Sequence, residues 1–186
     1  MQHFQSTSGI VIKTKTTKES DIFVTLLTPG LGKITCLAKG AKNIKSSRLG
    51  SLQLGNIIKV HLYQKNDFLW LSESISISQF LRVKKNLTQL NLLFYFLEIL
   101  NYFIADNQQI NGIYQISESV ITAINRNNLA DFLKYELEFI QSLGFGLPPE
   151  IQPLYDQHDY IGCQKLIKDH LESIIEKPLQ SSKLFK

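Results

Sequence analysis

The stretch from Ile22 to Asn66 contains no aspartate or glutamate, although it holds Lys33, Lys39, Lys42, Lys45, Arg48, Lys59 and Lys65. A segment that excludes carboxylates while repeating cations presents a field of one sign, and nucleic acid is the commonest partner for it. Cysteine is scarce as well. Cys36 and Cys163 lie too far apart in sequence to form a disulfide or zinc framework, which fits a reducing cytoplasm. The opening residues MQHFQSTSG have neither a basic start nor a long apolar stretch, so no signal peptide is expected. The most hydrophobic run, 87–105, is broken by Asn91, Glu98 and Asn101. A bilayer span needs ~20 uninterrupted apolar residues, so this run reads as a buried core helix and no membrane partner is expected.

Catalytic signatures are missing too. Gly30-Leu31-Gly32 is a lone GxG between strands, where a hairpin turn accounts for it, and no phosphate-binding glycine fingerprint occurs. Neither a nucleophile elbow nor a pair of catalytic carboxylates can be picked out. His158, Cys163 and His170 stand at a spacing that matches no common zinc site. The expectation is a protein without catalytic residues, metal or cofactor, and not an enzyme.

What is present is an ordinary globular composition, 44% apolar and 19% charged over 186 residues, with an uneven distribution of charge. Residues 1–80 carry a formal +6 and residues 81–186 a formal −2, as expected if only the first part meets a polyanion. That first part reads as strands: Gly9–Lys15, Ile22–Thr28, Lys33–Lys39, Asn56–Gln64 and Phe68–Ile75, punctuated by glycine turns. Alternation puts Lys33, Thr35, Leu37 and Lys39 on one face of the third strand, with Ile34, Cys36 and Ala38 on the other. In the fourth, Ile58, Val60 and Leu62 oppose Lys59, His61 and Tyr63. This pattern suits a small five-stranded barrel of the OB-fold type, and an SH3-like barrel satisfies it equally. From about Gln79 the period becomes helical, with helices predicted around 87–104, Asn111–Arg126, Leu129–Leu143 and Tyr160–Glu176. Pro148, Pro149 and Pro153 predict an irregular segment before the last of these. The expected class is α+β in two domains, a nucleic-acid-binding barrel over residues 1–80 and an all-α domain over 81–186.

The basic segment Gly32–Gly50 is the positive functional signal. Each cation that neutralises a phosphate releases condensed counterions, which gives salt-dependent, sequence-tolerant affinity. Gly40, Ser46, Ser47 and Gly50 predict a loop able to follow a nucleic-acid backbone closely. Single strands also need flat groups on which bases stack. Tyr63 shares a strand face with Lys59 and His61, and Phe23, Phe68 and Trp70 are further candidates, at least two of them expected in the core. Two other readings fit the same residues: an RNA-binding barrel of the translation machinery, and a protein-interaction scaffold.

Glu19-Ser20-Asp21 followed by IFVTLLTPGLGKITCLAKGAKNIKSSRLGSLQLGN resembles the N-terminal domain of the RecO family of bacterial recombination mediators. The strings YELEFIQSLGFGL and KPLQSSKLF are similar to elements of its helical domain. The resemblance implies an OB-fold followed by helices, and a protein of DNA repair and recombination that works in the cytoplasm at the nucleoid. Such proteins bind single- and double-stranded DNA, anneal complementary strands and help load RecA. Their partners are RecR and the acidic C-terminal tail of single-strand-binding protein. Carried onto this chain, the DNA contacts fall on Lys33, Lys39, Lys42, Lys45 and Arg48, with Lys13 and Lys59 as secondary contacts. Many members carry two zinc-binding CxxC pairs where this chain has PPEIQPLYDQHDYIGC. The expectation is a short variant without the structural zinc, its gap packed by prolines with Tyr155, Tyr160 and Ile161.

Overall fold

The computed structural model describes residues 4–17, 19–43, 46, 48–65, 68–79 and 86–181. It divides into two compact units, Met1–Leu81 with Ile104–Tyr114, and Arg82–Phe103 with Gln115–Lys186.

The first unit is built on five strands, β1 (Phe4–Thr16), β2 (Ile22–Thr28), β3 (Gly32–Ala38), β4 (Ile57–Lys65) and β5 (Phe68–Ser78), with a short helix α1 (Arg48–Ser51) between β3 and β4. They close into a barrel in the order β1-β2-β3-β5-β4. All pairings are antiparallel except β3 with β5, which is parallel and has the single register pair Leu37↔Trp70. This is the partly open, five-stranded OB-fold arrangement, and it settles the choice between barrels. The predicted alternation holds: Ile34, Cys36, Ala38, Ile58, Val60 and Leu62 fill the interior with Val11, Val24, Leu26 and Leu71. Burial pushes the Cys36 thiol up to about 12, consistent with a core residue and not a reactive one.

Strand β1 begins earlier than predicted because Phe4–Ser8 pair with β4, from Phe4↔Tyr63 to Ser8↔Lys59. These five residues lack an apolar alternation that could have announced them. A bulge between Val11 and Lys13 bends β1 so that it can also pair with β2.

The turn from β2 to β3 shows why its residues are what they are. Thr28 Oγ1 accepts from the Leu31 N–H at 3.0 Å and donates to the Gly32 carbonyl at 3.0 Å. Gly32 has φ +66°, and a Cβ there would run into the Gln108 carbonyl. That close approach belongs to the segment 104–114, whose Asn107 N–H donates to the Lys33 carbonyl at 2.7 Å.

The second unit is helical: α2 (Leu87–Phe103), α3 (Ile113–Asn125, which begins in the first unit), α4 (Leu129–Ser142), α5 (Ile151–Asp156) and α6 (Tyr160–Ile175). Asn86, Asn128 and Asp159 accept from backbone N–H groups in the first turns of α2, α4 and α6, as side-chain caps do. Helix α5 stands where an irregular segment was predicted. Pro153 is only its third residue, where the missing N–H has no intrahelical partner to lose. Around it Ile151 and Cys163 are buried, and Tyr155 meets Tyr160 edge to face at 5.8 Å. Ile161 does not join them; it is 78% exposed, a correction to the expected apolar packing. No described helix is long and apolar enough to cross a membrane.

Candidate nucleic-acid interface

The predicted site residues do not form one cluster. Lys33 is the clearest departure. Its side chain is buried beside the segment 104–114 and its Nζ lies 3.0 Å from Asp106 Oδ1, so its charge is already matched and it is withdrawn from the expected DNA contacts. Alternation alone placed it outside, but a second chain segment covers that end of the face.

Arg48 is a clamp. Its Nη2 donates to the Lys39 carbonyl at 2.6 Å, and its Nη1 reaches the Leu71 and Ser72 carbonyls at 3.3 and 3.2 Å. The planar fork thus ties α1 to the residue that follows β3 and to the interior of β5. Its loop is fastened elsewhere too, with Ala41 and Leu52 in the barrel core. Asp21 Oδ1 accepts from the Gly40 N–H at 2.6 Å, and the Ser20 carbonyl accepts from the Lys42 N–H at 3.0 Å. The described part of the loop is therefore fastened to the barrel at Gly40, Ala41, Lys42, Arg48 and Leu52. Lys45 and Ser47 lie outside the described residues.

Lys39 and Lys42 remain exposed at the end of β3, and Lys13 and Lys59 are exposed on β1 and β4. Lys59 shares the outer face of β4 with His61 and Tyr63. Tyr63 is the centre of a feature the sequence reading found only in part. It pairs across the sheet with Phe4 on one side and Trp70 on the other. The Phe4–Tyr63 centroids are 5.9 Å apart; Tyr63 and Trp70 are 6.1 Å apart and within 15° of parallel.

The register carries this row further, since Trp70 pairs with Leu37 and Leu37 with Phe23. Phe4, Tyr63, Trp70, Leu37 and Phe23 therefore form a belt that crosses β1, β4, β5, β3 and β2 in turn. Phe23 and Trp70 are half-buried and Phe68 is 58% exposed, so none of the three belongs to the fully buried core, contrary to expectation. The belt is flanked by exposed Lys15, paired with Phe23, and exposed Lys65, paired with Phe68. Lys15 stands two positions from Lys13 on β1, and only its register opposite Phe23 sets it beside the belt. Rings with cations at their margins can stack bases and hold the linking phosphates. In OB-folds the face of the second and third strands is the usual oligonucleotide surface.

Among the described residues no group of histidine, cysteine and carboxylate side chains is arranged to hold a metal ion. His170 Nε2 lies 2.7 Å from the Gly146 carbonyl, and Cys163 donates to the Ile151 carbonyl.

The sequence resemblance is matched by comparison with known proteins. Residues 1–80 match the family model described as Recombination protein O N terminal. A DNA repair protein RecO of Acetivibrio thermocellus is 27% identical over 146 residues, 77% of this chain and 58% of its own length. One from Chloroherpeton thalassium is 26% identical over 148 residues, 77% of this chain and 57% of its own. One from Rhodopirellula baltica is 32% identical over 119 residues, 63% of this chain and 44% of its own. The chain thus spans less than two thirds of the length of these relatives.

Proposed function

From the likeness to RecO proteins and the belt on the barrel, we propose that this chain is a non-enzymatic DNA-binding protein of repair and homologous recombination. The barrel, residues 1–80, binds single- and double-stranded DNA, and residues 81–186 contact protein partners. With RecR it promotes strand annealing and RecA loading, acting at the nucleoid on strands coated by single-strand-binding protein, whose tail is a further partner. Annealing breaks no covalent bond. It requires that two mutually repelling strands be neutralised while their bases stay available, and a surface of rings with lysines at its margins meets both needs.

The observation that carries this reading is the belt Phe4–Tyr63–Trp70–Leu37–Phe23 on an OB-fold barrel, with Lys15, Lys39, Lys59 and Lys65 exposed on the same strands or at their ends. DNA contacts are assigned to Lys39, Lys42, Lys59, Lys13 and Tyr63. Annealing of complementary oligonucleotides with single-strand-binding protein present tests it. The variant Lys39→Ala/Lys42→Ala/Lys59→Ala is expected to lose roughly tenfold or more in single-strand affinity and to anneal correspondingly slowly. Unchanged annealing by a variant with an unchanged melting temperature would overturn the assignment.

A further inference from the structure

Strands β3 and β5 meet at one register pair, Leu37↔Trp70, and beyond it they part. Lys33, at the start of β3, bridges instead to Asp106, leaving Thr35 between the two with a strand partner only on the β2 side. The opening is a recess of about 690 Å³ entirely within the first unit. That volume lies in the range of ligand pockets.

Its lining is chemically specific. The Phe23 and Phe68 rings stand on its walls, and the polar groups among them are mostly neutral amides, Gln5, Gln64, Asn107 and Gln109. The Gln109 amide donates to the Pro29 carbonyl at 3.4 Å, whereas the Gln5, Gln64 and Asn107 side chains have no hydrogen-bond partner among the described residues. Among the described residues no lysine or arginine lines the recess; cations stand outside it, Lys15 across the strand pair from Phe23 and Lys65 across from Phe68. The one carboxylate among the described lining residues, Asp106, is ion-paired with Lys33. A phosphate would find no counter-charge inside, but a flat, polar-edged group would find ring walls and amides that both donate and accept.

We propose that this recess takes an unpaired nucleobase, with its phosphates held outside by Lys15 and Lys65; the inference rests on the nucleic-acid reading of the barrel. A base inside a duplex has its edge occupied and its faces stacked, so the recess selects single strands. It also selects on bases and not on charge, which separates it from the lysines at the end of β3.

The test is fluorescence anisotropy with labelled single strands of roughly twelve nucleotides, carrying either bases or abasic sites throughout, in DNA and RNA form. The variants are Gln5→Leu/Gln64→Leu and Phe68→Ala, all at exposed positions, with melting temperature measured as a check on folding. Wild type is expected to prefer the base-bearing strand roughly tenfold or more, and both variants to lose that preference while binding the abasic strand as before. Whichever sugar shows the preference names the source of the base. Equal affinity for base-bearing and abasic strands would overturn the recess and leave the nucleic-acid reading standing. A base preference that survives in both variants would also overturn it, by moving the reading of bases to the Phe4–Tyr63–Trp70 row. Binding of neither strand would overturn both.

Discussion

Single residues in this chain do more than their type announces. Glu98 reads in the sequence as a polar interruption of an apolar helix, yet its carboxylate accepts from the Gln180 N–H at 2.8 Å, the Ser181 N–H at 2.9 Å and the Ser181 hydroxyl at 2.7 Å. A contact across eighty positions has no local signature. Glu136 is hidden in the same way. Its place in α4 looks like an ordinary polar position, but it is fully buried, and loss of hydration pushes its carboxyl up to about 8. The nearby Tyr95 hydroxyl, which favours the charged form, is the smaller effect. A carboxyl whose folded value lies above its ordinary 4.5 favours the folded state when protonated. Its contribution to stability is therefore full below about pH 4.5 and is lost as pH rises through about 8. Glu136→Gln keeps the shape without the charge. At pH 8 it should stabilise the helical unit by on the order of 3 kcal/mol, and at pH 4.5 by little, in urea unfolding followed by helical circular dichroism. A gain of equal size at both pH values would mean that this carboxyl does not titrate between them.

At the scale of elements, legibility followed locality. Strand β2 has the bounds its β-branched run predicted, and the interior faces of β3 and β4 follow from alternation, because each depends on residues two apart. The early part of β1, helix α1 and the return of residues 104–114 to the barrel unit depend on partners far along the chain, and periodicity cannot see them. The site was legible to the same extent. Its cations and Tyr63 stood out by composition, whereas the belt exists only through cross-strand register. Gly32 lies where local and distant demands coincide, with φ +66° and the Gln108 carbonyl in the space a Cβ would need. Gly30, two positions away, has open space and no positive φ. Gly32→Ala should cost at least ~1–2 kcal/mol from the left-handed backbone alone, and more from the clash. Gly30→Ala should change stability by less than about 0.5 kcal/mol. The sole tryptophan, Trp70, lies in the barrel and reports its unfolding in urea directly. Equal losses in the two variants would show that neither the left-handed backbone nor the approach of 104–109 sets a requirement for glycine at position 32.

For the molecule as a whole, electrostatics depends on which cations are free, and formal charge overstates that number. The barrel half carries +6, but Lys33 is matched by Asp106 and Arg48 is committed to three carbonyls. Salt dependence separates these roles, because each phosphate neutralised on a single strand contributes about −0.7 to the slope of log affinity against log salt. If Lys39 and Lys42 each hold one phosphate, Lys39→Ala/Lys42→Ala should reduce the magnitude of that slope by about 1.4 and leave the urea midpoint unchanged. Arg48→Ala should behave in the opposite way. Three backbone carbonyls lose their donor, which lowers stability by roughly 1–3 kcal/mol, while the slope measured on folded protein stays where it was. The two experiments cross: one variant moves binding and not stability, the other stability and not binding. If Arg48→Ala instead flattened the slope as much as the lysine pair, the guanidinium would be a phosphate contact, and its hold on β3 and β5 would be secondary.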